Sequence, residues 1–160
     1  LINPRILQFS QLTYVIFKGR CKSFVKTPQS QNTLNFVMLR FLLADDYEIM
    51  RKGLKQILLE GYPSAYIEEV ADASQLLSKA IESHWDLVMT DLNMPGGGGL
   101  NALKLIRMQK KELPVLVISI HPPEQYAHHV LQAGANGYLS KYLSPDKILA
   151  TVQNLLSGKQ

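Results

Sequence analysis

The sequence predicts an α/β fold: a three-layer (βα)5 sandwich whose parallel five-stranded sheet runs in the order 2-1-3-4-5. Three observations predict it. Short apolar runs recur without polar alternation, the mark of strands buried on both faces. Between them lie longer stretches with apolar residues at helical spacing. The strands and helices alternate, which implies parallel strands joined by right-handed crossovers.

Leu39–Ala44 is the first strand, ended by Asp45 and Asp46. Tyr47–Leu59 has Ile49, Met50, Leu54, Ile57 and Leu58 at helical spacing, and Glu60-Gly61-Tyr62-Pro63 breaks it. Tyr66–Val70 is a short strand carrying Glu68 and Glu69. Asp72 caps the next helix, with Gln75 as its capping-box partner, and Leu76, Leu77, Ala80 and Ile81 face inward. His84 and Trp85 follow and cover the sheet edge. Leu87-Val88-Met89 is the central strand, and Asp91 stands at its carboxy end. Asn93, Pro95 and four glycines cannot continue a strand. Leu100–Gln109 is a helix with Leu103 and Ile106 inward. Gly96 to Gly99 leave it no capping side chain and predict a mobile loop. Pro114 introduces the strand Val115–Ile118, ended by Ser119. Pro122-Pro123 opens a helix to about Ala133, closed by Gly134. Gly137–Ser140 leads to Lys141. Ser144 caps the last helix, with Pro145 at its first position, Ile148, Leu149, Val152 and Leu155 inward, and Gly158 at its end.

The 160 residues suit one domain with a full-sized core. No apolar run approaches the roughly 18 residues that span a membrane. The one cysteine, Cys21, excludes an internal disulfide framework and fits a reducing compartment, hence a cytoplasmic location. Residues 1–37 carry Arg5, Lys18, Arg20, Lys22 and Lys26 and no acid, a charge of +5, so the total of +4 leaves −1 for residues 38–160. The first 37 residues lack a clear period, and Met38 stands directly before the first strand. This segment therefore reads as an N-terminal extension, added or mis-called. Its functional reading is a basic, aromatic-bearing arm for nucleic acid or anionic lipid, but it has no amphipathic helical pattern. Leu12–Phe17 has strand propensity and suits a sheet edge.

A sheet of order 2-1-3-4-5, the flavodoxin-like arrangement, places the first and third strands side by side and its ligand site beyond their carboxy ends. Asp45, Asp46, Asp91, Ser119 and Lys141 then converge on one rim. Three close carboxylates repel one another unless their pKa values rise or a cation joins them. Their oxygen atoms suit Mg2+, with room left for water and a phosphate. A carboxylate beside Mg2+ can act as nucleophile toward a phosphoryl group. Lys141 supplies a point charge for phosphate oxygens and Ser119 a hydroxyl donor.

With LLADD at 42–46, DLNMP at 91–95, VLVIS at 115–119 and GYLSK at 137–141, the sequence resembles the receiver domain of bacterial two-component response regulators. The likeness covers about residues 38–157, leaving 158–160 as the start of a linker. It implies that Asp91 is the phospho-acceptor, and that Asp45, Asp46 and Asp91 hold Mg2+ with the backbone carbonyl of Asn93. It makes Ser119 the switch hydroxyl, Tyr138 the switch aromatic and Lys141 the active-site lysine. ADDYEIMRKGL at 44–54, MPGGGGL at 94–100 and GANGYLSK at 134–141 resemble the LuxR-type, or NarL/FixJ-type, subfamily. The resemblance implies a sensor histidine kinase as partner, self-association on phosphorylation, and DNA contact only through a helix-turn-helix output domain; a stand-alone receiver is the alternative. Two positions depart from the family. Gly98 replaces the usual Asp or Asn, and Tyr142 stands where many receivers have a cis proline. A cis bond before Tyr would cost about 2.5–4 kcal/mol, which leaves that geometry open.

Other functions fit less well. A haloacid-dehalogenase-like phosphatase also uses an aspartyl phosphate and Mg2+, but its nucleophile precedes its acidic pair, and it needs an acid where Asn93 stands. The signalling reading therefore stands ahead of a turnover enzyme. A DNA-binding role for residues 38–160 conflicts with their charge and with the lack of a free recognition helix. His121, His128 and His129 read as solvent-facing rather than as a metal site, because adjacent His128 and His129 point to different helix faces. Tyr126, Val130 and Tyr138 also suit the core, but the resemblance puts them on the face that changes on phosphorylation and gives Tyr138 a signalling role, with Tyr126 balanced between the two readings.

Overall fold

Alternating apolar side chains let each central strand feed two cores at once, and the layers of this protein follow from that. The computed structural model describes residues 38–158. The expectations for residues 1–37, including the Leu12–Phe17 strand, and for the last two residues of the chain lie outside the described residues.

Five strands alternate with five helices: β1 Arg40–Ala44, α1 Glu48–Gly61, β2 Tyr66–Val70, α2 Ala73–Glu82, β3 Leu87–Thr90, α3 Gly99–Gln109, β4 Val115–Ser119, α4 Pro123–Gln132, β5 Gly137–Ser140 and α5 Pro145–Leu156. The strands are parallel in the order β2-β1-β3-β4-β5, as the sequence predicts. Leu42, Val88, Val115 and Val117 pack on one face with α2, α3 and Val130 of α4. Phe41, Leu43, Leu87, Met89, Leu116 and Ile118 pack on the other with α1 and α5. Burying each such side chain contributes about 1.5–3 kcal/mol. These two cores hold the sheet between its helices and fix which residues end each strand.

Several local expectations need correction. Ile49 does not face inward; it is 75% exposed on α1, because Leu54 and Leu58 already fill that helix's inner stripe. The Ser144 hydroxyl makes no capping bond, so α5 starts on Pro145 alone. Asp72 does cap α2, accepting from the Gln75 N–H at 2.8 Å. The glycine loop before α3 is pinned at both ends: Ala73 N donates to Pro95 O at 2.9 Å and Gly99 N to Leu92 O at 2.8 Å. Gly98 sits at φ +81, where glycine is favoured, and a Cβ on Gly99 would overlap the Asp91 carbonyl. The loop's glycines thus let the chain turn close against the end of β3.

The β2 edge is covered as expected by Trp85, whose ring stacks on Tyr66 at 6.1 Å while its Nε1 donates to Lys79 O. The Arg40 guanidinium lies over both rings. His84 is exposed and takes no part. At the far end of α3, the Arg107 guanidinium reaches Gly134 O, Lys110 O, Lys111 O, Leu113 O and Asn136 Oδ1. It ties α3 to the loops before β4 and β5.

Candidate functional site

Register places the rim residues. Ala44 pairs with Thr90, so Asp45 and Asp91 follow in step at the ends of β1 and β3. Ser119 pairs with Ser140, which puts Lys141 one residue beyond the end of β5. The peptide bond joining Lys141 to Tyr142 is trans, like every other among the described residues.

Asp45, Asp46 and Asp91 each turn a carboxylate oxygen into one spot, the three atoms lying within 4.8 Å of one another. Asp45 and Asp91 are buried, and Asp46 is exposed at the mouth. Lys141 Nζ lies 2.7 Å from Asp45 Oδ2 and 3.1 Å from Asp91 Oδ2. Among the described residues, the ammonium is the one donor beside that buried Asp45 oxygen, which accepts no other hydrogen bond. The other oxygens are oriented by backbone: Tyr47 N donates to Asp45 Oδ1 at 2.9 Å and Leu92 N to Asp91 Oδ1 at 2.8 Å. Arg51 Nη1 holds the Asp45 carbonyl at 2.6 Å.

The electrostatics are those of a crowded anionic site with one cation. Burial pushes the Asp91 carboxyl above its ordinary value, against the pull of Lys141 and the Leu92 N–H. Burial works to lower the Lys141 ammonium and is outweighed by Asp45 and Asp91, which hold it above its ordinary value. All-oxygen ligands, one of them buried with only the ammonium beside it, fit a small hard cation such as Mg2+.

The sign for stability follows. Because the Asp91 pKa is raised on folding, its contribution to stability falls as pH rises from 3.8 toward the folded value. Metal-free Asp91→Asn is therefore expected to melt a few degrees above the parent at neutral pH. The gap should close below about pH 3, where the parent's carboxyl is also neutral in both states. Thermal melts across that range, in chelator, check it; an unchanged or lower melting temperature at neutral pH would contradict it.

Ser119 is fully buried, and its Oγ accepts from His121 N at 3.3 Å. Tyr138 packs against the α2–α3 core, and its hydroxyl donates to His121 O at 2.9 Å. The ring is half-buried. Burial raises the Tyr138 pKa, partly offset by the Ser119 hydroxyl beside it.

His121 corrects the reading of the histidines. It is half-buried: its Nε2 lies 2.6 Å from Asn93 Nδ2, and its ring stacks on Tyr126 at 4.4 Å. His128 and His129 are exposed, as expected. The signal for His121 was its place two residues after Ser119, opposite Asn93, which is two residues after Asp91. That juxtaposition exists only once β3 and β4 are paired.

Known proteins are similar to this chain in sequence and fold. The response regulator receiver domain family matches residues 41–153. A nitrate/nitrite response regulator protein homolog from Haemophilus influenzae is 30% identical over 76% of this chain and 58% of its own. A two-component response regulator of the LuxR family from Aurantimonas sp. SI85-9A1 is 31% identical, with a TM-score of 0.71, covering 77% of this chain and 88% of that one. The signal receiver domain of the putative response regulator NarL from Mycobacterium tuberculosis is 27% identical, with a TM-score of 0.66, covering 76% of this chain and 98% of that one. The chain spans about half the length of the curated relatives it matches. No helix among the described residues is long and apolar enough to cross a membrane.

Proposed function

We propose, since the chain belongs to the response regulator receiver domain family, that residues 38–157 are a phospho-accepting signalling module loaded on Asp91 by a sensor histidine kinase. The observation that carries this reading is the buried Asp91 carboxylate at the end of β3, sharing one spot with Asp45 and Asp46 and touched by Lys141. In the transfer, an Asp91 carboxylate oxygen forms a bond to phosphorus as the bond from phosphorus to the kinase imidazole nitrogen breaks. The imidazole keeps the electron pair and is protonated from solvent. Asp45, Asp46, Asp91 and the backbone carbonyl of Asn93 would hold Mg2+. When bound, the ion supplies the positive charge that lets phosphoryl oxygens approach three carboxylates.

Lys141 then meets a phosphoryl oxygen as a point charge, and its two present carboxylate contacts keep it in place. Ser119 gives up the His121 N–H and donates its hydroxyl to the phosphoryl group. Tyr138, which shares His121 with Ser119, carries the change toward α4 and β5. Exposed Tyr47 and Tyr142, next in sequence to Asp46 and Lys141, offer apolar contact area around the acids for the kinase. The module works in the cytoplasm, self-associates on phosphorylation and acts on a LuxR-type DNA-binding output domain of a longer protein.

The test is direct. Incubated with Mg2+ and acetyl phosphate, the intact chain is expected to gain the mass of one phosphoryl group, and chelator should prevent the gain. A protein that stays unmodified with Mg2+ present, or gains the mass equally in chelator, would refute the proposal.

A further inference from the structure

We propose that Asn93, His121 and Tyr126 form a second line of coupling from the acidic site to α4, alongside Ser119 and Tyr138. The inference rests on the phospho-acceptor reading and names how that site is read out. The Asn93 amide meets His121 Nε2 at 2.6 Å. The His121 ring lies nearly parallel to Tyr126 of α4, with centroids 4.4 Å apart and planes 19° apart. Asn93 and Tyr126 also both line one cavity of about 380 Å3, with Leu92 and Leu100 among its apolar surfaces. A continuous chain of side chains therefore runs from the loop after Asp91, across the β4–α4 loop, to the first turn of α4.

Its trigger is a competition between acceptors. The amide of Asn93 now contacts a ring nitrogen of His121. A phosphoryl group on Asp91 adds charged oxygen acceptors two residues away, and hydrogen bonds to ionised acceptors are about twice as strong. Asn93 turns to the phosphoryl oxygens and His121 loses its partner. The ring is then held only by Tyr126 and by its own backbone bonds, so α4 and the cavity wall shift with it. Only this difference in bonding between the two states moves the equilibrium. The backbone of His121 belongs to the Ser119–Tyr138 route, whereas its ring belongs to this one, so substitutions can separate the two.

The experiment records backbone amide NMR shifts of the full chain with Mg2+, before and after adding beryllofluoride. Shifts at Ala44, Asp45, Asp46 and Leu92 report binding, and shifts at Tyr126–Val130 report α4. In Ser119→Ala/Tyr138→Phe, the α4 shifts are expected to persist in reduced form. Adding His121→Ala should remove them while the binding shifts remain. Adding His121→Gln instead, whose amide oxygen can accept from Asn93, should keep more of them than His121→Ala. The proposal is overturned if α4 falls silent in Ser119→Ala/Tyr138→Phe with His121 intact, if His121→Ala leaves the α4 shifts unchanged, or if His121→Gln does no better than His121→Ala. If the parent shows no binding shifts at all, the phospho-acceptor reading fails first and this inference falls with it.

Discussion

Arg107→Ala is expected to lower the free energy of unfolding by about 3 kcal/mol or more, a core-sized loss from a residue of a partly exposed helix face. The guanidinium donates to Gly134 O at 2.9 Å, to Leu113 O at 2.9 Å and to Asn136 Oδ1 at 3.1 Å, and it also reaches the carbonyls of Lys110 and Lys111. Asn136 Oδ1 in turn accepts from Val115 N, the first residue of β4. A hydrogen bond to a charged donor contributes about 1.5–3 kcal/mol, and a buried acceptor left bare costs about 1–3 kcal/mol. Burial lowers the Arg107 pKa, with Glu112 acting the other way, so the group is partly desolvated and relies on these acceptors. Arg107→Lys should recover less than half of the loss, since an ammonium cannot reproduce the planar fork. Urea denaturation of the three proteins checks this. A loss under about 1 kcal/mol in Arg107→Ala would show that the loops hold their places without it.

Lys141→Met carries the second large effect, and it has two parts. The lysine side chain is 6% exposed and lies between Asp45 and Asp91, which are equally buried. Removing it leaves two buried carboxylates without a counter-charge, and breaking such a pair typically costs about 3–5 kcal/mol. The metal-free variant should therefore melt well below the parent. Mg2+ should then raise its melting temperature more than it raises the parent's, because the cation takes the place of the missing charge and binds without competition from it. Calorimetry with and without Mg2+ gives both numbers. If the variant melts with the parent in chelator, or if Mg2+ raises both equally, Lys141 is not balancing the acidic pair.

The fold was legible because its signals are short and local. Val115 to Ile118 has no polar alternation and is a strand buried on both faces. Asp72 with Gln75 marks a helix start that the hydrogen bond shows directly. The acidic rim was legible for the same reason: once the strand order is known, each strand's last residue lands at the same end of the sheet. What depended on a contact between distant segments was not legible. Arg107 reads in sequence as an ordinary surface residue of a helix, since its acceptors lie in the two loops before β4 and β5. His121 reads as solvent-facing until β3–β4 pairing brings Asn93 to it. Ile49 falls on the helical period, yet period alone does not say how wide a stripe the sheet can cover. Ser144 has the right chemistry for a cap but makes no bond, with Pro145 already setting the backbone of the first turn.

The central claim is that Asp91 accepts the phosphoryl group. Its most direct test compares the parent with Asp91→Asn after acetyl phosphate and Mg2+, by intact mass and by mapping the modified peptide. The account predicts one added phosphoryl group in the parent, on the peptide holding Asp91, and none in Asp91→Asn, whose amide stays folded but is no nucleophile. An equal gain in Asp91→Asn, or a parent phosphoryl group mapped to another residue, would contradict it.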